Sequence, residues 1–270
     1  MQNAVIAILL LAPALLAQTA RELSDLNWME IRESVPAKIQ TVLLPTGTME
    51  PHGVINNGAD ITAPVAIARA IAARVNALAA PAVPFGMTGS LDGYAGSFSV
   101  SEASYRSYMS DVMAGLARMG FRNIIVVNGH GGPQTAVLNE VAEATGRAQR
   151  VRTLVVNWWS LCSDVTLRVF GEDGGHAGWN ETAFIQAIDP KLVKKERYSD
   201  ALATPRPPAG SWTAYPFPSP IILYQPGQGY VKFDQAKADA YFKGVVEKMG
   251  ALVEETVRKW DAAGVFEPTR

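Results

Sequence analysis

The chain has 270 residues, of which 48% are hydrophobic and 18% charged, with 24 Lys and Arg against 25 Asp and Glu for a net charge of −1. At about 100–200 residues per domain this is one large domain or two small ones with ample material for a core, which excludes general disorder. Balanced charge gives no electrostatic case for nucleic acid or an anionic membrane as a partner, and the single cysteine, Cys162, excludes an internal disulfide and any multi-cysteine metal site. The three histidines, His52, His130 and His176, each sit among glycines and acidic or amide residues.

The first element is an apolar run, Ala4–Ala17, too short to span a bilayer comfortably and ending in small residues before Gln18–Thr19. This is the pattern of a secretory signal, with a retained anchor and a packed N-terminal helix as the alternatives. Residues 1–20 are therefore expected to be removed on export to the periplasm or the exterior, leaving no stable membrane anchor, and residues 21–270 to form a single domain. A short helix is predicted around Trp28–Arg32 and a buried strand at Thr41–Leu44, stopped by Pro45 and Gly47. An Ala-rich helix comes next over Ala63–Leu78, then a strand at Ala79–Val83. Tyr105, Met109, Val112, Met113 and Leu116 recur at helical spacing within a predicted helix Ser101–Met119. Beyond it lie a β-branched strand Asn123–Val127, the Gly-rich NGHGG, a helix Pro133–Ala144, a strand Leu154–Trp158 and a helix Glu181–Ile188. The Pro-rich stretch Thr204–Pro220 reads as a long surface loop. Strands alternating with helices predict an α/β fold with right-handed crossovers, a three-layer αβα arrangement around a mainly parallel central sheet.

In such sheets the ligand crevice lies beyond the carboxyl ends of the strands. His52 and His130 each come directly after a predicted strand, so both are expected in one crevice. Glu50 and His52, two apart on extended chain, face the same side, and Asp60 closes the same strand-to-helix loop. Oxygen and nitrogen donors without thiolates suit zinc, manganese or iron. Each feature also has a blander reading. A lone loop histidine is commonly a hydrogen-bonding surface residue. NGHGG could cradle a phosphate, although it lacks a P-loop lysine and dinucleotide spacing. Ser90, Ser97 and Ser99 do not sit in a G-x-S-x-G elbow. Trp158, Trp159, Trp179 and Trp212 are either core or, for Trp179, the wall of a substrate pocket. Asn128 is a candidate to orient a histidine and to contact substrate, and Asn180 a candidate orienter.

LLPTGTMEPHG with Asp60 after it resembles the first metal motif of the creatininase family, IIVVNGHGGPQ its second and GGHAGWNETA its third. PFGMTGSLDGYAGSFSVS carries a weaker likeness, so the resemblance extends from about Thr41 to Ala187 and uses every histidine. It implies a dinuclear metal hydrolase acting on amide bonds of small, often cyclic molecules, on a three-layer αβα fold that commonly assembles as a homo-oligomer, a hexamer. By the resemblance Glu50, His52, Asp60 and His130 are metal ligands, Asp60 bridges the two ions, Glu181 completes the set and His176 handles the proton near the scissile bond. There are departures. Gly132 stands where creatininase has a glutamate, as in members whose third-motif glutamate replaces it. The interval from Glu50 to Asp60 is one residue short, Ile55 and Asn56 replace a second histidine, and Leu91–Asp92 replaces a Glu-His pair. The expectation is metal-dependent hydrolysis of a small amide, creatinine being one candidate. The alternatives are hydrolysis of a non-amide bond, such as a cyclic ketone or ester, and a non-catalytic exported metal-binding protein.

Overall fold

The β-branched and aliphatic runs become four strands, β1 (Thr41–Thr46), β2 (Ala77–Ala79), β3 (Asn123–Asn128) and β4 (Arg152–Asn157). The structure is a computed structural model that describes residues 21–226, 228 and 233–266; the expected signal segment, residues 1–20, lies outside them. The strands pair in the order β2-β1-β3-β4, every pair parallel. A parallel strand covered on both faces sends alternate residues into two cores rather than into core and water. Leu43, Ile125 and Val127 enter one cluster, and Val42, Leu44, Ile124 and Val126 enter the other.

Helices supply the two outer layers. On the Leu43 face lie α2 (Ala59–Ala72), α7 (Trp179–Ile188) and α8 (Gln235–Ala262), contributing Ile67, Ile71, Phe184 and Tyr241. On the Val42 face lie α3 (Glu102–Met119) and α4 (Gly132–Gln149), contributing Met109, Met113, Val137 and Leu138. The remaining helices are short: α1 (Trp28–Ser34), α5 (Trp158–Leu161) and α6 (Ser163–Phe170). At α1 the Asn27 side chain accepts from the Met29 and Glu30 N–H groups while Glu30 accepts from the Asn27 N–H, a reciprocal cap that starts the helix. The α/β three-layer expectation is thus what the chain forms.

Several boundaries differ from the sequence reading. The Ala-rich helix starts earlier and ends at Ala72; after a left-handed Asn76 (φ 46°) its last predicted residues become β2. Alanine favours helix locally but fits a close-packed parallel strand without conflict, so pairing with β1 decides. Val83, the predicted end of that strand, makes only a bridge to Thr46. Trp158 opens α5 rather than closing β4. The Pro-rich loop is irregular for most of its length, but Thr204 and Pro205 belong to β6 (Ala203–Pro205) of a second sheet, ordered β5-β7-β6, with β5 (Gly175–His176) and β7 (Ile221–Leu223). No element was expected after that loop, yet α8 runs for 28 residues. Its buried Ala238, Tyr241, Val245, Met249 and Val253 recur every three or four residues, the signal that finds it. No described helix is long and apolar enough to cross a membrane.

From β1 the chain crosses to β2 on one side, while β3 pairs on the other. The strand order therefore reverses between β1 and β3, which opens a crevice at their carboxyl ends.

Candidate metal centre

Three stretches of chain, β1 to α2, the loop after β3, and β5 to α7, deliver side chains to this crevice. Glu50 and His52 come after β1, His130 comes after β3, and His176 is the second residue of β5. Asp60 and Glu181 stand in the first turns of α2 and α7, where the helix dipole favours a carboxylate. Asp60 was expected in a loop; the helix begins one residue before it. Gly47, just past β1, is required by packing, because a Cβ there would collide with the Asp60 carbonyl.

The histidines share one orientation rule. His52 Nδ1 lies 3.1 Å from the Glu50 carbonyl oxygen, His130 Nε2 lies 2.9 Å from that of Met87, and His176 Nε2 lies 2.7 Å from that of Pro51. A carbonyl only accepts, so each of these nitrogens donates its proton outward and the other ring nitrogen is turned toward the carboxylates. His130 Nδ1 is 2.8 Å from Asp60 Oδ2 and 3.1 Å from Glu50 Oε1. His52 Nε2 is 2.9 Å from Asp60 Oδ1 and 3.6 Å from Glu181 Oε2. His176 Nδ1 is 3.5 Å from Glu50 Oε1, and its ring centroid is 4.3 Å from that of His52.

Three sets of donors each lie within 4.8 Å: Glu50, Asp60 and His130; His52, Asp60 and Glu181; and Glu50, His52 and His176. Glu50 Oε2 and His52 Nε2 are buried without a hydrogen-bond partner, and the close approach of His52 to Asp60 is off the hydrogen-bond line. Lone pairs converging at these distances need a positive charge between them, so the residues fit divalent cations held by nitrogen and oxygen.

Without a metal, protons carry that charge. Burial opposes a charged His52, but Asp60, Glu181 and Glu50 outweigh it and lift its pKa to about 10. Burial likewise opposes charge at His130, yet Glu50 and Asp60 hold its pKa well above the ordinary value. Burial would raise Asp60, but His52 and His130 keep it below the usual carboxylate range. Burial raises Glu50, and raises Glu181 to about 7. His176 is pushed down to about 3 by burial and by the charge on His52, so it is the neutral member.

Behind the cluster, Asn128 is fully buried. Its Nδ2 donates to the His130 carbonyl, Thr135 Oγ1 and Asn157 Oδ1, and its Oδ1 accepts from the His130 N–H. It shapes the histidine loop and does not line the cleft, in contrast to the expected substrate contact. Gln134, which the sequence reading did not assign, accepts from the Met87 N–H and donates to Asn128 Oδ1, so it holds the carbonyl that orients His130. Its place beside NGHGG was the available signal.

The cleft over the cluster encloses about 300 Å³. Trp159, read from the sequence as core, forms part of its wall; Trp179, the expected wall residue, stacks on Phe170 and donates to Glu172 instead. Direction along α7 decides this, because Asn180 and Glu181 take the cleft side. Thr88, Ser90, Arg206 and Tyr224 also line the cleft.

A curated creatinine amidohydrolase from Pseudomonas putida is 26% identical over 202 residues, 68% of this chain and 78% of its own length. A mycofactocin precursor peptide peptidase from Mycobacterium ulcerans (strain Agy99) is 27% identical over 183 residues, 63% of this chain and 67% of its own. A solved manganese creatininase superposes with a TM-score of 0.78 at 23% identity, covering 88% of this chain and 98% of that one, a likeness of fold. The family model described as creatininase, creatinine amidohydrolase, matches residues 24–262, and the chain belongs to the creatininase family.

Proposed function

We propose that this protein hydrolyses carbon–nitrogen amide bonds with two divalent cations held in the cluster. Glu50, Asp60 and His130 would hold one and His52, Asp60 and Glu181 the other, Asp60 offering Oδ2 to the first set and Oδ1 to the second. The observation that carries this reading is the common orientation of the histidines, each outer N–H spent on a backbone carbonyl and each inner nitrogen turned to the carboxylates. Hydrogen bonding of this kind fixes metal-ligating imidazoles. When bound, two zinc, manganese or iron ions would supply a water acidic enough to be ionised near neutral pH and would polarise an amide carbonyl.

The chain's own part is orientation and proton handling. Amide nitrogen leaves poorly until it is protonated. His176 is neutral, donates from Nε2 to the Pro51 carbonyl and keeps Nδ1 unprotonated on the cluster side, so Nδ1 can take a proton and return it to the leaving nitrogen. One relative is a creatinine amidohydrolase and another a precursor peptide peptidase. Hydrolysis of an amide bond is common to both, and this supports the bond class over any single substrate.

The test is metal analysis of purified protein with a hydrolysis screen over creatinine, formamides, short lactams and peptides. Close to two ions per chain are expected, with activity lost on chelation. The variant His176→Ala is expected to keep its metal and lose about 10²–10⁴-fold in turnover. Full activity in exhaustively chelated, metal-free protein overturns the reading.

A further inference from the structure

Arg206 is the only Lys or Arg lining the cleft, and no carboxylate among the described residues pairs with it. Its guanidinium carbon sits 4.9 Å from the centroid of the Tyr224 ring, which also lines the cleft. Glu50, Asp60 and Glu181 line the same cleft, but their charge is met by His52 and His130 or by cations, and none of them pairs with Arg206.

Both the chain and the second sheet place this arginine. Pro205 and Pro207 flank it, and a residue before proline is confined to extended backbone. The Arg206 N–H donates to the Leu223 carbonyl at 2.6 Å, continuing the ladder between β6 and β7. In the same sheet His176 pairs with Ile222, and Ile222 with Thr204. Two inter-strand spacings and two further residues along β6 put the backbones of His176 and Arg206 roughly 12 Å apart. One small sheet therefore carries the proton-handling histidine on one edge strand and Arg206 just past the end of the other.

We propose that Arg206 is a specificity-determining residue that binds a carboxylate on the substrate, which makes the substrate class an amide bearing a free carboxylate a few bonds from the scissile C–N bond. This rests on the amide-hydrolase reading for the bond cleaved, not for the contact itself. A guanidinium stacked on an aromatic ring presents its donors as a planar fork, matched to the two oxygens of a carboxylate. A neutral amide with no anionic group leaves that fork unused.

The experiment uses the full chain loaded with zinc and two probes, N-acetyl-alanyl-alanine and its C-terminal carboxamide. Binding is monitored by tryptophan fluorescence, Trp159 standing in the cleft wall, and kcat/KM is measured in parallel. The carboxylate is expected to bind at least about tenfold more tightly than the carboxamide, the difference residing in KM. Arg206→Gln should erase that ratio and Arg206→Lys keep part of it, with metal content and Tm showing that the exposed substitution leaves the fold intact. Equal or undetectable binding of the carboxylate overturns the proposal. So does a preference that survives Arg206→Gln, which would assign the carboxylate to the metal cluster. If the charge preference is seen but no amide is cleaved, the hydrolase reading fails and the Arg206 contact stands; cleavage of both probes with equal kcat/KM has the opposite meaning.

Discussion

The carbonyl oxygen of Asp60 occupies the space in which Gly129 would carry a side chain: a Cβ at Gly129 would collide with it. The loop after β3 and the first turn of α2 are therefore in backbone contact, which sets the Asp60 carboxylate between His52 and His130. Neither backbone can yield without moving α2 off the sheet. Gly129→Ala is expected to lose metal and to destabilise the fold by the upper end of the usual overpacking range, about 3 kcal/mol. Metal analysis and thermal unfolding check this, and a variant with full metal content and an unchanged Tm would refute it.

Glu181 has two contacts. Its Oε2 accepts from the Ala177 N–H at 2.6 Å and lies 3.6 Å from His52 Nε2. Ala177 is in the left-handed region (φ 55°), uncommon for a residue with a side chain, so the carboxylate also braces the turn into α7. Glu181→Gln keeps an oxygen for Ala177 and removes the charge. A metal ligand lost in this way should cost roughly one metal equivalent and at least about 10²-fold in turnover. A residue that only complements the helix dipole would cost about 0.3–1 kcal/mol and leave metal and rate intact.

His52 and His130 have raised pKa values in the metal-free protein, so at pH 7 each holds a proton on the nitrogen that faces the carboxylates. A cation must displace both. Metal binding at pH 7 is therefore expected to release a proton from each histidine, and affinity should fall as the pH is lowered. Titration calorimetry in buffers of different ionisation enthalpy measures this directly. A binding enthalpy independent of buffer would show that the nitrogens were already free.

The strands and the crevice were legible in the sequence for a local reason. β-branched runs ended by Gly and Asn specify β1 and β3 through sterics between neighbours along the chain, and the residues after each strand must leave the sheet at its carboxyl end. That placed Glu50, His52 and His130 together before any contact was known, and the motif likeness added Asp60, His176 and Glu181. Alternation of two residues and periods of three to four are properties of a few neighbouring backbone angles, so they survive in the sequence alone.

The rest depended on distance through space. Nothing near His130 in the sequence indicates that the Met87 carbonyl holds its ring, or that the Pro51 carbonyl holds that of His176, because those partners arrive from other loops. The choice of Trp159 over Trp179 for the cleft wall turned on the rotation of two helices about their axes, which neighbouring side chains do not encode. Ala77 and Leu78 read as the end of a helix because they continue an alanine-rich run that favours helix locally, and only pairing with β1 makes them part of a strand. Arg206 sits in a proline-rich stretch with no periodicity to read; the ladder to β7 brings it to the same sheet as His176, since register between strands is settled by packing and closure rather than by local propensity.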